Sequence, residues 1–181
     1  MNLSFTDIRP ATGEHVAGIC SLYVVPRQWI NTDPVIDFET GKVLTAVDLK
    51  ENTFWIRIDL LQPSYEFTET PKDSKSGDYK EIALTGTLNF YNYILQQQLE
   101  TLRRCQLVVL LTDMNKRRRL IGDSSAGMLF KYAHSVHKEE AVQINMMMES
   151  EDPAPFYNPD NEPEIIYNLL ENVDGNFLLV E

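Results

Sequence analysis

Cysteine is scarce. Cys20 and Cys105 are the two thiols in 181 residues, too few to staple a chain of this length as a disulfide framework staples a small secreted domain. Both sit in apolar sequence neighbourhoods, beside Ile19 and Leu22 or beside Leu107, which fits a reducing compartment. Histidine is nearly as rare. His134 and His137 are three apart at a strand end and face different ways, and neither they nor His15 has an HExxH pattern, a cysteine pair or a carboxylate cluster beside it. They read as structural or surface residues, and no metal is expected. Glycines stand singly, at Gly77, Gly86, Gly122 and Gly127, so no phosphate-cradling loop and no GxSxG elbow is present and no cofactor is expected. Asp123-Ser124-Ser125 and Ser74-Lys75-Ser76 place hydroxyls near charges, but a nucleophile needs an oriented base and neither stretch has a neighbouring histidine. The acid pairs Glu139-Glu140 and Glu149-Glu151 read as solvent-facing in so acidic a chain. The expectation is a protein that is not an enzyme.

Long apolar runs are missing as well. No stretch approaches the roughly 18 apolar residues of a membrane span, and Met1 to Asp7 has neither a basic n-region nor an apolar h-region. A soluble protein made in the cytoplasm is expected. Cations are outnumbered, 16 against 27 acidic residues, for a formal net charge of -11. That balance disfavours general nucleic-acid binding, which rewards clustered cations on a basic surface. One corner breaks the pattern, because Arg103-Arg104 and Lys116-Arg117-Arg118-Arg119 supply six of the 16 basic residues. Such a corner on an acidic body is a solvated hairpin tip, a charge-complementary contact between copies, or a phosphate contact.

What is present is mostly strand pattern. A chain of 181 residues fits one domain of about 100–200 residues. Residues 1–149 read as a single β-rich domain with an N-terminal arm, 1–15, and residues 150–181 as an acidic, proline-rich C-terminal extension. Phe54, Ile56, Ile58 and Leu60 alternate with Trp55, Arg57, Asp59 and Leu61, the clearest period of two in the chain. Tyr65 and Phe67 alternate inward along Ser64 to Thr70, and Pro71 to Asp78 reads as a long polar loop. Met128, Phe130 and Tyr132 line one side of a strand, and Val142, Ile144, Met146 and Met148 line one side of another. The Met146-Met147-Met148 run fills core or meets a partner. Leu88, Tyr91, Ile94, Leu95, Leu99 and Leu102 recur at helical spacing, predicting one helix over about 88–104. Gln106 to Leu111 predicts a strand, Thr112 to Lys116 a turn, and Arg117 to Ile121 the returning strand. From Glu151 to Pro163 the prolines exclude a regular element, and the apolar residues of Asn176 to Val180 need a sheet edge, on this chain or on another copy. The fold class expected is mainly β with one principal helix (α+β), an antiparallel β-sandwich or barrel flanked by that helix.

Several stretches carry a further likeness: Ser64-Tyr65-Glu66-Phe67-Thr68-Glu69-Thr70, Ser76-Gly77-Asp78-Tyr79, Leu99-Glu100-Thr101-Leu102-Arg103-Arg104, and Leu107 to Lys116 followed by Arg119-Leu120-Ile121-Gly122. Their order resembles that of small bacteriophage virion tail proteins of the tube, ring or hub type, as in phages of Bacteroidetes. A basic turn stands here where those proteins often have a plainer Asn-Gly hairpin. The resemblance implies a tail-tube-like fold and a structural virion protein in the tail or neck. Copies would pair into a homo-oligomeric ring or tube segment whose acidic lumen lets DNA pass without sequence-specific binding. Other tail or connector proteins would be its neighbours. A tail terminator, a head-tail connector and, from another class, a monomeric adaptor or binding module are the alternatives. Strands with open edges, polar connections and unpaired arms describe a part completed by copies of itself. The expected subunit contacts are Thr70, Lys72, Asp73, Lys75 and Asp78 in the long loop, and Lys116, Arg117, Arg118 and Arg119 in the basic turn.

Overall fold

The computed structural model describes residues 18–37, 39–59, 65–74, 77–88, 93–136, 140–159 and 166–168. The expected N-terminal arm, Lys75 and the apolar stretch at 176–180 lie outside the described residues. The chain runs through β1 (Ile19–Pro26), a 3-10 turn (Arg27–Trp29), β2 (Ile30–Thr32), β3 (Ile36–Asp37), β4 (Lys42–Val43), β5 (Asp48–Leu49) and β6 (Trp55–Arg57). The long hairpin β7 (Glu66–Ser74) and β8 (Gly77–Leu88) follows, then helix α1 (Tyr93–Arg103). The second half comprises β9 (Gln106–Asp113), β10 (Arg118–Ile121), β11 (Met128–Val136), β12 (Glu140–Ser150), β13 (Phe156–Tyr157) and β14 (Ile166–Asn168). The fold is therefore mostly β with one helix, a sheet-rich α+β arrangement.

Twelve strands form one branched sheet, ordered β3-β4-β13-β10-β9-β11-β12-β8-β7, with β1 joining β9 to β6 and β14 beyond β6; β2 and β5 make a separate ribbon. Among the described residues this hydrogen-bonded path is open at β3 and at β7. Strand β9 is its centre. Leu107, Val109 and Leu111 belong to one buried cluster and Val108 and Leu110 to another, so the strand is covered on both faces. Its near-continuous apolar sequence has that cause. The first cluster joins Leu22 and Val24 of β1 and residues of β8, β11, β12 and α1; the second joins Tyr23 and Val25 to Val43, Trp55, Leu120 and Tyr157 beneath the short strands.

The sheet forks along one edge of β9. Strand β10 pairs with Thr112 to Val109, whereas Met128 and Leu129 of β11 pair with Leu107 and Gln106. Between them residues 122–127 leave the ladder. Gly122 turns the chain at φ 89°, and Asp123 Oδ1 accepts from the backbone N–H groups of Ser125 and Ala126. Gly127 lies so close to Leu107 that a Cβ there would stand 3.0 Å from its carbonyl oxygen. Beyond the fork, the hairpins β11–β12 and β7–β8 lie side by side, joined antiparallel through β12 and β8.

Several expectations need correction. The helix begins at Tyr93, not at about 88: Leu88 ends β8, is fully buried and pairs with Val142. It continues the alternation Ile82, Leu84, Leu88, and that period of two outweighs the helical spacing it shares with Ile94 and Leu95. The supposed loop Pro71 to Asp78 is largely strand, since Thr70, Pro71, Lys72, Asp73 and Ser74 pair with Glu81, Lys80, Tyr79, Asp78 and Gly77. An edge hairpin wet on both sides needs no apolar residues, and Pro71 is tolerated because an edge strand leaves alternate N–H groups outside the ladder. The strand around Ile56 is short, Trp55–Arg57, though Ile56 and Ile58 are buried as expected. Within the proline-rich stretch, Phe156 and Tyr157 form a strand between β10 and β4. Cys20 is exposed despite its apolar neighbours.

Helix α1 buries Leu95, Leu99 and Leu102 against the sheet. Tyr132 of β11 donates its hydroxyl to Glu100 Oε1 at 2.6 Å. This bond, with Arg103 adding to it, holds the Glu100 carboxyl below its ordinary 4.5. A carboxyl depressed by folding contributes stability that is present above its unfolded value and lost as pH falls through the folded one. Tyr132→Phe should therefore raise the Glu100 pKa toward its ordinary value, as a carboxyl-carbon NMR titration would record; an unmoved titration would refute the bond.

Candidate assembly surface

The basic turn is built from Asp113 outward. Its Oδ1 accepts from the backbone N–H groups of Asn115 and Arg117, both at 2.8 Å, and Oδ2 accepts Arg117 Nε at 2.8 Å. Lys116 N–H donates to the Asp113 carbonyl at 3.0 Å, and Lys116 takes the left-handed conformation at φ 62°, which is the geometry of a tight turn closed by a bulge residue.

The four cations have different tasks. Arg117 neutralises Asp113 within the turn, and Arg118 Nη1 donates to the Pro159 carbonyl at 3.0 Å. The Arg119 side chain is largely buried. Its Nη1 reaches Glu69 Oε2 of β7 at 3.2 Å and the Ala154 carbonyl at 3.1 Å. Its guanidinium lies 4.4 Å from the Phe156 ring centroid and 5.7 Å from that of Phe67. Glu69 Oε1 in turn accepts the Ala154 N–H at 2.7 Å. Arg119 and Glu69 thus buckle β10, β7 and the segment after β12 together, where no ladder joins β7 to β10. Lys116 remains exposed at the tip.

On the hairpin, Thr70, Asp73 and Asp78 are exposed, and Lys72 stands 4.0 Å from Glu81 in a half-exposed pair that is worth little. Asp73 and Asp78 are direct cross-strand partners. Two carboxylates facing each other across an antiparallel pair repel, at a cost of up to about 1 kcal/mol. Strand β7 runs nine residues along β8, and its other edge, where alternate backbone groups point outward, has no described strand beyond it. Pro71 interrupts that edge, so a further strand would find its longest uninterrupted stretch from Glu66 to Thr70.

The structure thus groups the sequence-predicted residues unequally. Arg117, Arg118 and Arg119 are engaged within the chain, whereas Thr70, Asp73, Asp78 and Lys116 are exposed. Phe67 was read as an inward residue, whereas Glu69 and Phe156 were not singled out in the sequence, though one signal pointed to Glu69: the inward alternation Tyr65, Phe67 continues to it, and an inward carboxylate calls for a cation. Among the described residues, no three histidine, cysteine or acidic side chains gather as a metal site, and no helix is long and apolar enough to cross a membrane. No protein-family model, characterised protein or solved structure matches the chain.

Proposed function

We propose that the protein is a structural subunit of a bacteriophage tail, assembling with copies of itself into a ring or tube segment through which DNA passes. Tail terminator and head-tail connector are variants of the same reading. The observation that carries it is the β7–β8 hairpin. Its outer edge lacks a described strand, and its tip holds the opposed carboxylates Asp73 and Asp78. A hairpin with facing like charges is relieved when a cation from outside comes between them, and Lys116 is exposed at the turn, where its exposed neighbour Arg117 is already paired with Asp113. A head-to-tail contact, hairpin of one copy against basic turn of the next, satisfies both, and repeated around a closing rotation it makes the ring of this reading. The net charge of -11 suits a lumen that does not retain DNA. The resemblance of Tyr65 to Gly122 to phage tail proteins supports the biological setting.

Charge exchange tests the contact. Lys116→Glu alone, or Asp73→Lys with Asp78→Lys, should weaken self-association at least tenfold at low salt, read by light scattering across a concentration series. The two sets combined should recover most of it. Association unaffected by either set would remove hairpin and turn from the interface. A chain that stays monomeric throughout would favour the adaptor.

A further inference from the structure

A cavity of about 460 Å3 opens beside α1, near the Pro26 end of β1. Apolar Trp29, Ile56 and Leu102 line one part of it with Cys105, and Gln98 lines it beside polar and charged residues that include Glu100 and Arg104. Gln98 is only 7% exposed and is the one buried polar side chain among the described residues. Its Oε1 is shut off from solvent without a hydrogen-bond partner. It lies on the helix face that otherwise buries Leu95, Leu99 and Leu102. An apolar residue there would pack without the penalty of an unpaired amide. The two ends of a carboxamide exchange by rotation about its last bond, so Gln98 can offer the cavity either a donor or an acceptor.

We propose that this cavity binds a neutral carboxamide carried on a compact apolar body, with the amide paired to Gln98 and the body against Trp29, Ile56 and Leu102. A neutral amide follows from the uncharged group it must satisfy, since it supplies a donor and an acceptor together. An apolar body follows from Trp29, Ile56 and Leu102 on the apolar part of the wall. The same chemistry is offered by a free small amide and by a peptide group beside an apolar side chain. The site stands independently of the assembly reading.

Benzamide and N-acetyl-leucine N-methylamide are the probes, with cumene as the shape-matched control that lacks the amide. Each is titrated against the 15N-labelled full chain while the Trp29 indole resonance is followed. Saturable shifts with at least one amide are expected, and Gln98→Met should weaken that amide at least tenfold while leaving cumene equal or tighter. Saturation by benzamide alone would point to a small-molecule ligand, and by the capped leucine alone to a peptide. Gln98→Met preserves volume and removes the unpaired amide, so it should fold. Cys105→Trp, filling the cavity from another wall, should abolish the shifts as a second check. No saturable shift with either amide, equal weakening of amide and cumene in Gln98→Met, or shifts that survive Cys105→Trp would overturn the proposal.

Discussion

Replacing Arg119 with methionine should lower the free energy of unfolding by about 2–4 kcal/mol, because one partner of a largely buried pair is removed while the other stays. The Arg119 and Glu69 side chains are 26% and 21% exposed, well below the exposure at which ion pairs contribute almost nothing. Methionine keeps much of the packing against Phe67 and Phe156. It leaves Glu69 without its cation and the Ala154 carbonyl without the guanidinium donor. The double variant Arg119→Met, Glu69→Met should lose less than the sum of the two single changes, since the uncompensated charge is gone. Urea unfolding at neutral pH measures all three. A loss below about 0.5 kcal/mol for Arg119→Met would show that the buckle holds nothing together.

Gly122→Ala is expected to cost about 2–4 kcal/mol, from a left-handed backbone combined with a steric collision. At φ 89° a side chain is strained, and the new Cβ would stand 2.8 Å from the Ala126 carbonyl oxygen. That oxygen is backbone and also accepts the Asp123 N–H at 2.8 Å. The collision can be relieved only by moving the loop that splits β10 from β11. Thermal unfolding reads the loss. Gly41→Ala is the matched control: its φ is 65° and no atom lies within 4 Å of the added Cβ, so it should lose the conformational part alone. Equal losses at the two positions would mean that the fork is not sterically fixed.

The strands that carry strong patterns were legible in the sequence. Strands β9 and β10 fall about where the apolar run and the polar stretch after it place them, except that Thr112 and Asp113, read as turn, extend β9 and pair with Arg118 and Ile19, and β11 and β12 follow their alternation. The helix was legible in existence but not in its start, because Leu88 satisfies both periodicities and only its pairing with Val142 decides between them. The inner part of the β7–β8 hairpin was legible from the alternation around Tyr65 and Phe67, but its outer part, from Pro71 to Asp78, was hidden by its composition, since those pairs are polar and cross-strand hydrogen bonding alone extends them. The fork after Gly122 depends on which strand each half of β9 faces, and no local pattern encodes that. The basic turn was visible as charge, but Arg119 turns inward because its neighbour Ile121 faces the same core, and its partner Glu69 is 50 residues away in sequence. Gln98 looked like one polar residue among the three glutamines Gln96 to Gln98, and only the fold shows which of them is buried.

The Arg119–Glu69 buckle ties β7 to β10, β7 is one end of the sheet path among the described residues, and the assembly proposal depends on that strand meeting another copy. The most direct test is the mass and shape of the purified chain, by light scattering after size exclusion together with negative-stain imaging across a range of concentrations. The account predicts closed rings with a central opening, at integer multiples of 20.8 kDa, that dissociate when Lys116 is reversed to glutamate. A 20.8 kDa particle at every concentration, unchanged by that reversal, would contradict it.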